Sequence, residues 1–174
     1  LIAKTTGASG SSDPSVWEAQ VRLAALPDPA TSRNIVVGSA GASTTPVATN
    51  FTWADISTTL KTALDKASPS ATADGFGEDR LNYIRGSRVK EGSPFRKRTW
   101  LLGDIVNSGV TYSGAPSPLI SSSSYTAPRK TAVFVGANDG MLHAFNGATG
   151  DELFAYIPSW VGANLSALTS SSYV

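Results

Sequence analysis

The sequence predicts a mainly β chain with a few short helices, in which a helix and loop segment over residues 1–99 precedes a sheet-forming segment over residues 100–174. Three observations predict it. Apolar runs in the second half are short, β-branched or aromatic, and bounded by Asn, Asp and Gly. Helical periodicity is confined to the first half. The composition is globular but polar, 41% hydrophobic and 16% charged with 16 Gly and 10 Pro in 174 residues, so much of the chain is predicted as loop.

Residues 1–14 are rich in Gly, Ser and Thr and close on Asp13-Pro14, the composition of a linker. Residues 15–26 then suit a short helix, with Ser15 as cap, Glu18 three residues later and Pro27 as the stop. The β-branched run Ile35, Val36, Val37 before Gly38 predicts a strand. Ile56, Leu60, Ala63, Leu64 and Ala67 recur at helical spacing and predict a helix over 53–67 with one apolar stripe. Residues 78–85 suit one or two helical turns that Gly86 ends, and 87–99, holding Gly92 and Pro94, reads as an exposed connector.

From Trp100 the character is β: residues 101–108 lead into Val110, Thr111 and Tyr112, and a Pro/Ser-rich loop over 115–128 follows. The most patterned stretch is 131–157. Its runs 132–135, 141–145 and 153–157 are apolar at successive positions, and Asn138-Asp139-Gly140 and residues 146–151 suit tight turns between them. Three short strands joined this way form an antiparallel meander. Strands apolar on both faces are buried between two layers, so further sheets are expected against them, as neighbouring blades of a β-propeller supply. The expected fold is therefore a partial β-propeller.

Net charge is +1, without the basic excess of a general nucleic-acid binder, and no nucleic-acid partner is expected. The charge is uneven, however: Arg80, Arg85, Arg88, Lys90, Arg96, Lys97 and Arg98 face a single acid, Glu91, between positions 80 and 98. A solvated connector is the plainer reading of this run. Contact with a protein partner comes next, with Arg85, Arg88, Arg96 and Arg98 as candidates and Trp160, after Ile157-Pro158-Ser159, as an exposed anchor. The other tryptophans, Trp17, Trp53 and Trp100, are expected in the core. Cysteine is absent, which excludes disulfides, thiolate metal sites and a cysteine nucleophile. No apolar run reaches the roughly 18 residues of a membrane span, and the first residues lack the basic-then-apolar order of a signal peptide, so the chain is expected to begin inside a longer polypeptide.

His143, the only histidine, sits mid-strand between Leu142 and Ala144, so a hydrogen-bonded structural role is expected rather than a triad or zinc site. Asn138, Asp139 and Asp151 are read as turn formers, and Asp104 as bonding local backbone beside Asn107. No catalytic, cofactor or metal residue is assigned.

Residues 133–156 resemble the blade repeat of quinoprotein-type β-propellers. With the segments Arg80-Leu81-Asn82-Tyr83-Ile84-Arg85-Gly86, Phe95-Arg96-Lys97-Arg98 and Leu102-Gly103-Asp104-Ile105-Val106-Asn107-Ser108 in that order, the chain resembles the PilC/PilY family of type IV pilus proteins over about residues 76–168. The resemblance implies a large exported, non-enzymatic protein at the pilus tip or outer envelope surface. It implies roles in pilus assembly, adhesion or surface attachment, with minor or major pilins, or a host surface, as partners. The acidic calcium loop of some members has no counterpart here. No cofactor is therefore expected in this chain, and calcium stays open only for other parts of the family protein. Two rivals remain at this level. One is a quinone-dependent dehydrogenase, which shares the repeat but needs a cavity built by many blades. The other is a structural polymer in which other copies, or the rest of the same polypeptide, cover the open sheet edges.

Overall fold

The computed structural model describes residues 2–3, 17–39, 47–114 and 130–173. A six-stranded open sheet organises it. Strands β3 (Ile35–Gly38) and β4 (Ala48–Asn50) pair antiparallel, as do β5 (Thr111–Ser113), β6 (Ala132–Gly136), β7 (Leu142–Asn146) and β8 (Glu152–Ile157) in succession. The order is β4-β3-β8-β7-β6-β5, and the β3–β8 junction is parallel. A separate two-residue ladder joins β1 (Ile2–Ala3) to β2 (Trp17–Glu18).

The expected meander forms as β6, β7 and β8. Its two turns rest on glycines with positive φ, Gly140 at 83° and Gly150 at 76°, which other residues adopt only at a cost. Asn146 Oδ1 accepts from the Ala148 and Thr149 amides and closes the second turn locally.

The sheet buries one face. Ile35, Val37, Ala155, Ile157, Val135, His143 and Phe145 point inward, whereas Val36, Phe134, Phe154 and Tyr156 on the other face stay half-buried and Leu142 is 40% exposed. Burial between two layers is thus met on one side only within the described residues. Helices α3 (Thr58–Leu64) and α4 (Gly77–Arg85) and the 3-10 segment Ser159–Thr169 cover the inward face with Leu60, Leu64, Leu81, Ile84 and Leu165. Helix α1 (Ala19–Ala24) and residues 101–102 cover its other end around Trp17, Leu23 and Phe145. A four-residue turn, α2 (Pro29–Ser32), links α1 to β3. Described residues from 1–99 and from 100–174 therefore contribute to the same sheet and to both buried clusters on it.

Three elements differ from expectation. The helix expected over 53–67 is only Thr58–Leu64, because the Ser57 hydroxyl caps the Leu60 amide at 3.2 Å and Asp65 is drawn into the next loop, its carboxylate accepting from Gly77 N–H at 3.1 Å. The helix expected over 15–26 begins at Ala19, since Trp17 and Glu18 are extended and pair with residues 2–3; Ser15 lies outside the described residues. Residues 101–108 join no ladder. The expected loop over 115–128 lies outside the described residues.

Trp17 fastens the first half to the meander. Its indole donates to Gly147 O at 3.0 Å, and its ring lies where a Cβ on Gly150 would come within 2.5 Å. Gly150→Ala is expected to cost about 2–4 kcal/mol, one part from the positive φ and one from the pinned indole. Urea unfolding should show a lower midpoint with unchanged slope.

Candidate functional site

β7 directs His143 into the core, where it is wholly buried and stacked 5.7 Å from Phe145 on the same face. Its Nδ1 lies 2.8 Å from Glu152 Oε1, and its Nε2 lies 3.0 and 3.1 Å from the Asp139 carboxylate oxygens. Asp139, in the β6–β7 turn, also accepts from the Gly103 amide at 2.9 Å and the Met141 amide at 3.2 Å. Glu152 opens β8 and takes a two-point ion pair from Arg33, at 2.6 Å to Nε and 2.8 Å to Nη2. Arg33 is 5% exposed and donates through Nη1 to Arg85 O; Arg85 donates in turn to the carbonyls of Ala30, Phe51 and Arg33. A line of alternating charge, Arg33, Glu152, His143, Asp139, thus crosses the core.

Burial alone would push the His143 pKa down, but the charge and hydrogen bond of Asp139, joined by those of Glu152, raise it to about 9. Burial would push Glu152 up; hydrogen bonds from Arg33 and His143 instead hold it at about 2. Asp139 is lowered by the same balance, with His143 and the Gly103 amide outweighing burial. At neutral pH His143 is a cation donating from both nitrogens, which leaves no lone pair for proton abstraction. The expectation of a hydrogen-bonded histidine agrees with this geometry. Asp139 exceeds its expected turn-forming role by holding the imidazole, and Arg33 and Glu152 were not singled out by sequence. Strict alternation along β8 places Glu152 outward with Phe154 and Tyr156. The register shift where Ala144 pairs Phe154 but Phe145 pairs Glu152 turns it inward. Among the described residues no group of three or more His, Cys, Asp or Glu is placed to hold a metal ion.

The charge line ends at a cleft of about 390 Å³ walled by residues 96–104, by Asn138 and Asp139, and by Leu168 and Tyr173. Here the candidate contact residues separate. Arg85 is buried, and burial followed by the neighbouring Arg33 charge lowers its pKa. Arg98 lies 3.6 Å over the Tyr83 ring, pairs with Glu91 at 2.8 Å and donates to the carbonyls of Tyr83 and Ser87. Arg88 is half exposed yet bonds Glu91 and the carbonyls of Arg98 and Thr99. The connector expected over 87–99 is exposed or half-buried along most of its length, but Phe95 is buried and the Glu91 side chain lies inside and clasps two arginines. Arg96 faces the cleft, its Nε on Leu168 O and its guanidinium 5.0 Å over Tyr173. Trp160 is 78% exposed, and Trp100, expected in the core, is 42% exposed at the cleft.

The chain is 38% identical over 173 aligned positions, 91% of its length, to type IV pilus biogenesis factor PilY1 of Pseudomonas aeruginosa strain PAK, and equally to that of strain PAO1. The chain belongs to the PilC/PilY family. A PilY1 homolog of Xylella fastidiosa is 36% identical over 132 positions, 67% of this chain. The chain spans only 14–15% of the length of the two Pseudomonas PilY1 proteins. No family model and no solved structure matches it.

The buried charges fix a pH window. His143, with its pKa raised, adds stability in full below 6.5 that is lost as pH rises through about 9. Glu152, with its pKa lowered, adds stability in full above 4.5 that is lost as pH falls toward about 2. Thermal midpoints should peak between about 4.5 and 6.5, and His143→Gln should flatten the alkaline limb. Glu152→Gln leaves Arg33 without its charge partner and is expected to cost about 3–5 kcal/mol in urea titration.

Proposed function

We propose that this chain is a blade-bearing part of a β-propeller in a non-enzymatic, exported protein of the type IV pilus, acting in pilus assembly, tip adhesion and surface attachment through contacts with pilins. The observation that carries the reading is the 38% identity across 91% of the chain to proteins named as pilus biogenesis factors. The four-strand run β5-β6-β7-β8 is blade-like in pairing, and the half-buried outward face with Phe134, Leu142 and Phe154 is suited to packing against a further sheet. The sole histidine, with both nitrogens committed to carboxylates, also favours a structural over a catalytic use of the core.

A second reading, self-association, draws on Tyr112, which is 63% exposed on the last strand of the sheet order among the described residues. Sedimentation across a concentration series separates the two: a monomer that stays monomeric removes self-association.

In-frame deletion of residues 131–157 from the encoding gene is expected to abolish surface pili, scored by electron microscopy, and co-purification of minor pilins with the gene product. Normal piliation would overturn the reading. Dye-linked alcohol oxidation after loading with pyrroloquinoline quinone and calcium should show no turnover, and measurable turnover would overturn the non-enzymatic assignment.

A further inference from the structure

The two carboxylates that hold His143 belong to different parts of the molecule. Glu152 opens β8 and is shared with Arg33, whereas Asp139 sits in the β6–β7 turn and also accepts from the Gly103 and Met141 amides at 2.9 and 3.2 Å. An ionised carboxylate only accepts, so both ring nitrogens carry protons and the imidazolium balances the second of two internal anions. Arg33 acts on Asp139 through space without an ion pair, and Arg85 of α4, beside Arg33, directs its donors to the carbonyls of Ala30, Phe51 and Arg33.

Loss of one proton from His143 upsets this balance. Arg33 then stands alone against Glu152 and Asp139, and the neutral ring has one N–H for two anions. An uncompensated charge is costly inside, so one carboxylate must reach water. The two are unequal in this respect. The Glu152 side chain is 3% exposed and gripped at two points by Arg33, while that of Asp139 is 14% exposed, borders the cleft and has His143 as its only ion-pair partner among the described residues. Asp139 is therefore the group that turns outward, and the remaining ring proton stays with Glu152.

What Asp139 releases is the segment docked on its turn. Gly103 donates to its carboxylate, the Asn138 amide donates to Asp104 O at 2.9 Å, and the approach is so close that a Cβ on Gly103 would collide with the Asp139 backbone. Residues 101–108 join no ladder, so no strand pairing holds Gly103 once the carboxylate leaves.

We propose that His143 and Asp139 form a latch: the doubly protonated imidazole locks residues 103–104 on the β6–β7 turn, and removal of its proton frees them locally while the sheet stays intact. Burial opposes protonation, but Asp139 and Glu152 raise the His143 pKa to about 9, which puts release on the alkaline side of neutral.

Amide NMR of the chain across neutral and alkaline pH tests the latch. The Gly103 and Met141 amides should lose the downfield shift of a carboxylate hydrogen bond at the midpoint read from the His143 ring carbons, while the ladder amides of β7 and β8 keep theirs. Asp139→Asn retains a side-chain acceptor without the charge; it should lower the His143 midpoint and leave the Gly103 shift independent of pH. Should that variant not fold, the titration of the unsubstituted chain decides alone. The latch is overturned if Gly103 keeps its shift through the His143 midpoint, if Gly103 and the ladder amides are lost together, or if Asp139→Asn retains the pH response.

Discussion

The contact on which the rest of the fold depends is the buried ion pair between Arg33 and Glu152. Both side chains are almost entirely removed from water, so neither tolerates loss of the other. Arg33 stands just before β3 and Glu152 opens β8, and their pairing holds together the two strands that join the parallel junction of the sheet. His143 extends the same chain of charge to Asp139 and so to residue 103. One line of compensated charge therefore ties the end of α2, the meander and the cleft wall.

Such a line gives specificity more than raw stability, since an apolar core of the same volume can match a buried ion pair energetically. A slipped register in β8 would return Glu152 to the outward face and strand Arg33 and His143 inside without partners. Only one pairing of β7 with β8 satisfies all the groups. The positive-φ glycines of the two turns act in the same direction from the outside.

The arginine-rich stretch illustrates how a charge run can be consumed by the fold. Arg85 and Arg98 tie segments together by donating to backbone carbonyl oxygens, those of Phe51 and Arg33 and those of Tyr83 and Ser87, and Glu91 neutralises part of the excess. Part of the stretch stays at the surface, with Arg88 and Lys90 partly exposed in ion pairs to Glu91 and Asp79.

The meander, its turns and α4 were legible in the sequence because each is determined by neighbours in the chain: short continuous apolar runs, Asn-Asp-Gly and Asn146 to Gly150 at the turns, and Gly86 at the helix end. That His143 would be hydrogen-bonded was legible too, from its place in an apolar strand. The helix over 53–67 was half right, since periodicity marks the face but not the Ser57 cap that sets the start. The parallel pairing of β3 with β8, the inward turn of Glu152 and the burial of Arg85 were not legible. Each joins residues more than fifty positions apart or depends on a one-residue register shift, and neither leaves a periodic trace. The sequence by itself determined which short segments form strands and turns and to which family the chain belongs. Tertiary structure alone decided which charged groups are spent inside and which remain at the cleft, because a charge is committed only where distant elements bring a partner within hydrogen-bond reach.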